Sequence, residues 1–305
     1  MTGRDPFLQA NGTMKNLLGI ESAGELAVAE ADYAAARTLQ LREGRAPAGT
    51  RGNFDLAHLK AIHRHLFGDV YEWAGTTRAE PLTIEGRTVG QPPLLLKGTT
   101  TFEVGNRVNA RLEAAFDRLR AENSLQGLSR EEFSQRAADL FIQINNAHPF
   151  REGNGRTQRE FMLQLAEQAG HPLNFDPISQ ERMIVASYDG IQGEGSTMQR
   201  LFDEISDPDR VAVLERGVQY LEGARQHGVE WEEMYVATTT PGREYNGQLA
   251  AKGEGFFVIA SEGDVLVGHP QDLPDGHGRN VTVRATEFPS TGGGAQIGLG
   301  RDLDY

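Results

Sequence analysis

His148-Pro149-Phe150-Arg151-Glu152-Gly153-Asn154-Gly155-Arg156-Thr157-Gln158-Arg159 puts an imidazole, a carboxylate, two glycines and several guanidinium groups into one short run. The flanks tell where it sits. Before it, Glu131 to Asn146 carries Phe133, Ala137, Leu140, Phe141 and Ile144 at helical spacing. Ser129 stands three residues ahead of Glu132, the spacing of a capping box. After it, Arg156 to Ala169 is periodic again through Phe161, Met162, Leu165 and Ala169. Pro149–Gly155 therefore reads as a loop between the end of one buried helix and the start of the next. Phe150 reads as the anchor of that loop in the core.

The residue types suit phosphate chemistry. A helix start offers unpaired backbone N–H groups and a positive dipole end. Gly153 and Gly155 let the backbone approach an anion closely, and Asn154 tolerates a tight turn. Arg156 and Arg159, three apart, carry forks that match phosphate oxygens. Glu152 is a hard oxygen donor for Mg²⁺, which commonly bridges one carboxylate and substrate phosphates. His148 titrates near neutrality and can take a proton from an incoming hydroxyl.

The run resembles the Fic signature, His-x-Phe-x-Asp/Glu-Gly-Asn-Gly-Arg-x-x-Arg, at every specified position. The resemblance implies a mainly α protein, a Fic-type helical bundle with a β-hairpin flap. It implies transfer of AMP from ATP to a Ser, Thr or Tyr hydroxyl of a target protein, with pyrophosphate leaving. His148 would then be the general base, Glu152 would hold Mg²⁺ at the α- and β-phosphates, and the backbone of Gly153, Asn154 and Gly155 would form the anion hole. Arg156 and Arg159 would steady the β- and γ-phosphates. Doc-like relatives, which transfer phosphate, carry Lys where this chain has Gly155, so the resemblance favours AMP. Transfer of another group (phosphate, UMP or phosphocholine) and a non-catalytic binding module are the alternatives; the complete motif argues against the latter.

Around the motif, Ala23 to Glu43 is expected to be one long helix within an N-terminal segment, 1–50, and Asp55 to cap a helix through Phe67. His58, His63 and His65 on that helix lack the cysteine or carboxylate pattern of a zinc site. The segment Asp69 to Gly75 resembles the one that precedes the flap in Fic proteins. Leu82-Thr83-Ile84 and Arg87-Thr88-Val89 flank Glu85-Gly86, a hairpin pattern. By the resemblance this is a long flap that registers an extended target segment by strand addition, with Lys97-Gly98 and Phe102 returning near the nucleotide. Phe102 to Arg120, Ile178 to Ser187 and Ser196 to Ile205 are expected as further helices of a catalytic core spanning 51–210. Asp189 to Gly195 is Gly-rich but lacks the Lys-Ser/Thr of a P-loop, which makes it a connector.

A helix from Val211 to Gln226 reads as a linker (211–234). Beyond it, Gly255 to Ala260, Val265 to Val267 and Val281 to Arg284 read as strands of a small all-β unit, 235–290. This order resembles the Fic–OB arrangement of type IV secretion effectors. Few basic residues and no aromatic stripe argue for a docking role rather than nucleic-acid binding. Residues 291–305 read as a Gly-rich tail.

The 305 residues carry 30 basic against 43 acidic side chains, net −13, which argues against a broad nucleic-acid surface. Cysteine is absent, excluding disulfides and thiolate metal sites. The start shows no apolar signal region and no stretch reaches membrane-spanning length, so a cytoplasmic protein is expected. The resemblance adds translocation by type IV secretion into a host or recipient cytoplasm; a C-terminal secretion domain is not seen. Self-inhibited Fic proteins carry Ser/Thr-x-x-x-Glu-Gly/Asn. No Glu-Gly or Glu-Asn pair here has Ser or Thr four residues earlier. The departure implies a separate small antitoxin whose Glu would face Arg159.

Overall fold

A computed structural model describes residues 5–97, 100–276 and 278–289. They form two compact units. One takes the residues up to Leu128 together with Asp139–Gly170; the other takes Ser129–Ala138 and the residues from His171 on.

The first unit is built from α1 (Ala23–Arg42), α2 (Leu56–Phe67), two small hairpins, β1 (Leu82–Ile84) with β2 (Arg87–Val89) and β3 (Leu96–Lys97) with β4 (Thr100–Thr101), then α3 (Val108–Ala121), the end of α4 (Arg130–Ala147) and α5 (Asn154–Ala169). Ser22 caps α1 by accepting from the Glu25 N–H, and Asp55 caps α2 by accepting from the His58 N–H at 2.8 Å. Leu59, Ile62, Leu66, Phe67, Phe116, Phe150 and Phe161 fill the core. Ion pairs Arg37–Asp69 (2.6 Å) and Arg42–Glu160 (2.7 Å) tie α1 to the end of α2 and to α5.

The first hairpin turns on Glu85 (φ 51°) and Gly86 (φ 73°), the two left-handed residues that a two-residue turn demands. The turn is held down: Glu72 accepts from the Glu85 N–H at 3.0 Å, and Lys15 pairs with the Glu85 carboxylate at 2.9 Å. The α3 helix begins later than its sequence pattern suggests. Phe102–Val104 lies outside any helix and Gly105–Arg107 is a single 3-10 turn.

The second unit comprises the first part of α4, α6 (Gln180–Gln192), α7 (Ser196–Ile205), α8 (Pro208–Gly223) and a five-stranded sheet. The capping box at the start of α4 forms, with Ser129 Oγ and the Glu132 N–H 3.3 Å apart. Of the Gly-rich stretch read as a connector, Asp189–Gln192 is instead the last turn of α6; Gly193 caps the helix, and only Gly193–Gly195 connects it to α7. The strands β5 (Val236–Thr238), β6 (Glu244–Gly253), β7 (Phe256–Ser261), β8 (Asp264–Gly268) and β9 (Asn280–Arg284) lie in the order β5-β8-β7-β6-β9. Only β5–β8 is parallel, and β6 carries a bulge between Leu249 and Ala251. Ala237, Phe257, Ile259, Leu266, Val281 and Val283 form its core.

The helix read as a linker packs on this sheet. Gly217 of α8 lies so close that a Cβ there would fall 2.5 Å from Val267 Cγ1. Residues 171–210, read as part of the catalytic core, likewise belong to the sheet's unit. A buried ionic cluster joins its parts: Glu204 of α7 pairs with Arg182 of α6 and with Arg210 of α8 (3.3 Å), and accepts from the Thr238 N–H of β5 at 2.9 Å. These two guanidinium groups hold the Glu204 carboxyl down at about 2 against the opposing effect of its complete burial. The tail read at 291–305 lies outside the described residues.

Candidate active site

The α4 helix makes its last turn with the His148 N–H on Ile144 O at 3.0 Å, and then breaks. His148 itself adopts φ 42°, a left-handed conformation that a side chain resists. Its buried ring stacks on Phe102, centroids 3.8 Å apart. Phe102 is not helical: its N–H donates to Leu95 O at 3.2 Å and the next N–H, of Glu103, to Asn146 O at 3.0 Å, while its ring covers the imidazole.

The loop that follows is stapled from inside. Asn154 accepts from the Phe150 N–H and donates to Phe150 O, both at 2.8 Å. Its amide thus closes the turn, leaving its backbone for any ligand. Phe150 is fully buried and stacks on His63 at 3.8 Å. Arg151 pairs with Asp5 at 3.0 Å and covers Phe7.

Gly153 caps α5 with φ 75°. A Cβ there would lie 2.4 Å from Phe67 Cε2, so glycine is required both by conformation and by space. The helix starts at Asn154, two residues earlier than its periodicity suggests. The first intrahelical bond is the Thr157 N–H on Gly153 O. The N–H groups of Asn154, Gly155 and Arg156 are therefore those that a helix leaves for caps or anions. At Gly155 nothing in the fold needs glycine: a Cβ would meet only Arg159 Nη1, at 3.7 Å. The Arg159 guanidinium therefore lies beside Gly155.

Arg156 is directed elsewhere. It is buried, lies over the Phe67 ring at 4.6 Å and pairs with Glu30 of α1, which also accepts from the Tyr71 hydroxyl. Burial and the Glu30 carboxylate raise the Tyr71 phenol far above its ordinary range.

The sequence pattern gave no sign of three residues that hold this site. Glu30 is one. His63 is another: its Nδ1 accepts from the Gly75 N–H at 2.8 Å, which leaves Nε2–H to donate to Glu152 O at 2.9 Å. Full burial, with Arg156 and Arg64 nearby, pushes it down to about 3, so it is neutral at physiological pH. Arg78 is the third, with its backbone N–H on Pro149 O at 2.7 Å. The other two histidines of α2 also bind carbonyls, His58 that of Thr50 and His65 that of Arg37.

In the flap, Leu82 and Ile84 are buried and only Thr83 of β1 is exposed. Side chains of Leu82 and Ile84 therefore anchor the hairpin, and what the strand presents outward is Thr83 and backbone. Lys97 lies in β3; Gly98 lies outside the described residues.

The Fic/DOC family matches residues 53–166. A protein adenylyltransferase of Bartonella henselae is 36% identical over 265 residues, covering 86% of this chain and 47% of the relative. The solved structure of the type IV secretion system effector protein BepA superposes with a TM-score of 0.81 at 33% identity, over 93% of this chain and 97% of that one. BepC of Bartonella tribocorum, solved with AMPPNP bound, gives 0.62 at 33% identity, over 67% and 98%. The chain belongs to the Fic family. It spans about half the length of the curated Bartonella henselae relative.

Proposed function

We propose that this chain is a protein adenylyltransferase that moves AMP from Mg-ATP to a hydroxyl side chain of a target protein. One observation carries the reading: a glycine-bracketed turn, fixed by Phe67 and the Asn154 staple, opens a helix beside a buried imidazole. The relative named an adenylyltransferase and the AMPPNP-bound neighbour support it. The triphosphate lies on the backbone of Gly153, Asn154 and Gly155, where the N–H groups that open α5 are left for an anion, with Arg159 beside Gly155. His148 takes the proton of the target hydroxyl as its oxygen bonds to the α-phosphorus. The bond to the β-phosphate's bridging oxygen breaks and pyrophosphate leaves.

The donor set fits Mg²⁺ held mainly by the nucleotide: Glu152 is one hard carboxylate beside a helix start, and no group of three ligands occurs among the described residues. When bound, the ion offsets phosphate charge; Glu152 would hold it. Lys97 and Gly98 complete the nucleotide side, and the β1 edge at Leu82–Ile84 takes the target backbone by strand addition.

The sheet supports an OB-like reading. A meander β6-β7-β8, with β9 on its first strand and β5 parallel to its third, is the neighbour order of an OB barrel whose fifth strand comes first in the chain. Its role is docking. An antitoxin supplies the inhibitory Glu to Arg159; the reading is supported by the sequence, in which no Glu-Gly or Glu-Asn pair has Ser or Thr four residues earlier. The likeness to a secretion effector supports transfer into another cell's cytoplasm. No helix among the described residues is long and apolar enough to cross a membrane.

The test is mass spectrometry of a cell lysate treated with the protein and heavy-isotope ATP, alongside His148→Ala. AMP on a Ser, Thr or Tyr with wild type, and none with a variant that still binds ATP, is expected. A phosphate adduct, or equal transfer by the variant, refutes the reading.

A further inference from the structure

Arg78 is buried and meets no carboxylate; its bonds all go to backbone. Nε donates to His148 O at 2.8 Å, and Nη2 donates to Ala147 O at 2.9 Å and to Glu103 O at 2.8 Å. With its own main-chain N–H on Pro149 O, it takes three successive carbonyls at the break after α4. Burial brings it down to about 10, so it is still a cation at neutral pH. Its charge complements the negative end of α4, where carbonyls have no helical donor.

The two ends of this clamp meet on one ring. Through His148 O and Pro149 O it fixes the backbone that bends through φ 42°, a left-handed conformation that a side chain resists. Through Glu103 O it holds the residue next to Phe102, whose ring covers the imidazole; the Glu103 N–H closes the same strap on Asn146 O at 3.0 Å. Arg78 thus sets both the position of the imidazole's own backbone and the surface it stacks on.

We propose that Arg78 is a positioning residue for the base, acting only through His148; the inference rests on the reading of His148 as that base. Label transfer from ATP labelled at the α-phosphate into lysate protein, measured against ATP concentration, tests it with Arg78→Met and Arg78→Lys. Each is made in the wild-type and the His148→Ala backgrounds, and ATP binding is measured by calorimetry. A misplaced base costs on the order of a hundredfold. Arg78→Met is expected to lose about that factor in maximal rate while its ATP affinity stays within about threefold. Arg78→Lys, which keeps the charge but not the fork, is expected to fall between. In the His148→Ala background neither should lower the residual rate further, because the group they position is gone. If Arg78→Met does not fold, Arg78→Lys carries the same comparison. Unchanged maximal rates, a parallel loss of ATP affinity, or additive losses with His148→Ala overturn the inference. A dead His148→Ala beside a fully active Arg78→Met overturns it alone; full transfer by His148→Ala overturns the base assignment and this inference with it.

Discussion

Gly153→Ala is the sharpest test of the loop's construction, because two separate costs can be worked from the structure. The position has φ 75°, and a left-handed residue with a Cβ costs about 1–2 kcal/mol. The Cβ would also enter the Phe67 ring, 2.4 Å from Cε2 and 2.5 Å from Cζ. Phe67 is fully buried, packs on His63 and carries Arg156 on its face, so it has nowhere to swing. Overpacking of that kind costs about 1–3 kcal/mol. The sum, roughly 2–5 kcal/mol, corresponds to a fall of roughly 4–20 °C in the melting temperature of a domain this size. Differential scanning calorimetry reads it directly. The two costs separate with Phe67→Leu: the double variant should recover at least about 1 kcal/mol of coupling, since the clash is relieved and the backbone strain is not. A melting temperature within about 2 °C of wild type for Gly153→Ala, or strictly additive effects in the cycle, would show that Phe67 does not close under this turn.

Three other outcomes follow from the same geometry. Glu204→Gln leaves the buried Arg182 guanidinium without its carboxylate, while Arg210 keeps Asp203 at 2.5 Å, and should cost about 3–5 kcal/mol, seen in thermal unfolding. The Glu204 carboxyl is depressed to about 2, so its stabilisation is complete above its ordinary pKa near 4.5 and is lost as pH falls toward 2; the variant's stability should be flatter across that window. His63 is also depressed, to about 3, so its neutral bridge contributes fully above pH about 6.5 and is lost as acid charges it. Denaturant midpoints of His63→Gln should change less between pH 6.5 and 4 than those of wild type, and an equal slope would refute the buried neutral bridge. Deleting 85–93 should abolish target labelling while calorimetric ATP binding persists; loss of both would contradict a flap that serves only the target.

What could be read in the sequence was local. The α4–loop–α5 unit has its capping box, periodic flanks and glycines within a few residues of one another, and the β1–β2 turn is written in Glu85-Gly86. What escaped reading is held by contacts between residues far apart in the chain. Arg78 meets His148 across 70 positions, His63 meets Glu152 across 89, and Glu30 meets Arg156 across 126. None of these has a spacing that a periodicity could expose. The start of α3 is hidden for a related reason: Phe102 has an apolar side chain that fits a helical stripe, but its backbone and that of Glu103 bond to Leu95 O and Asn146 O, and the helix starts only at Val108. The pattern of α8 does not say what its apolar face meets, so in sequence it looks like a linker; Gly217 shows that it meets the sheet.

A crystal structure with Mg²⁺ and a non-hydrolysable ATP analogue tests the central claim most directly. The account predicts the triphosphate on the backbone of residues 153–155, with its α-phosphorus facing the His148 ring. An analogue bound elsewhere, or an imidazole turned away from the α-phosphorus with the nucleotide in place, would contradict it.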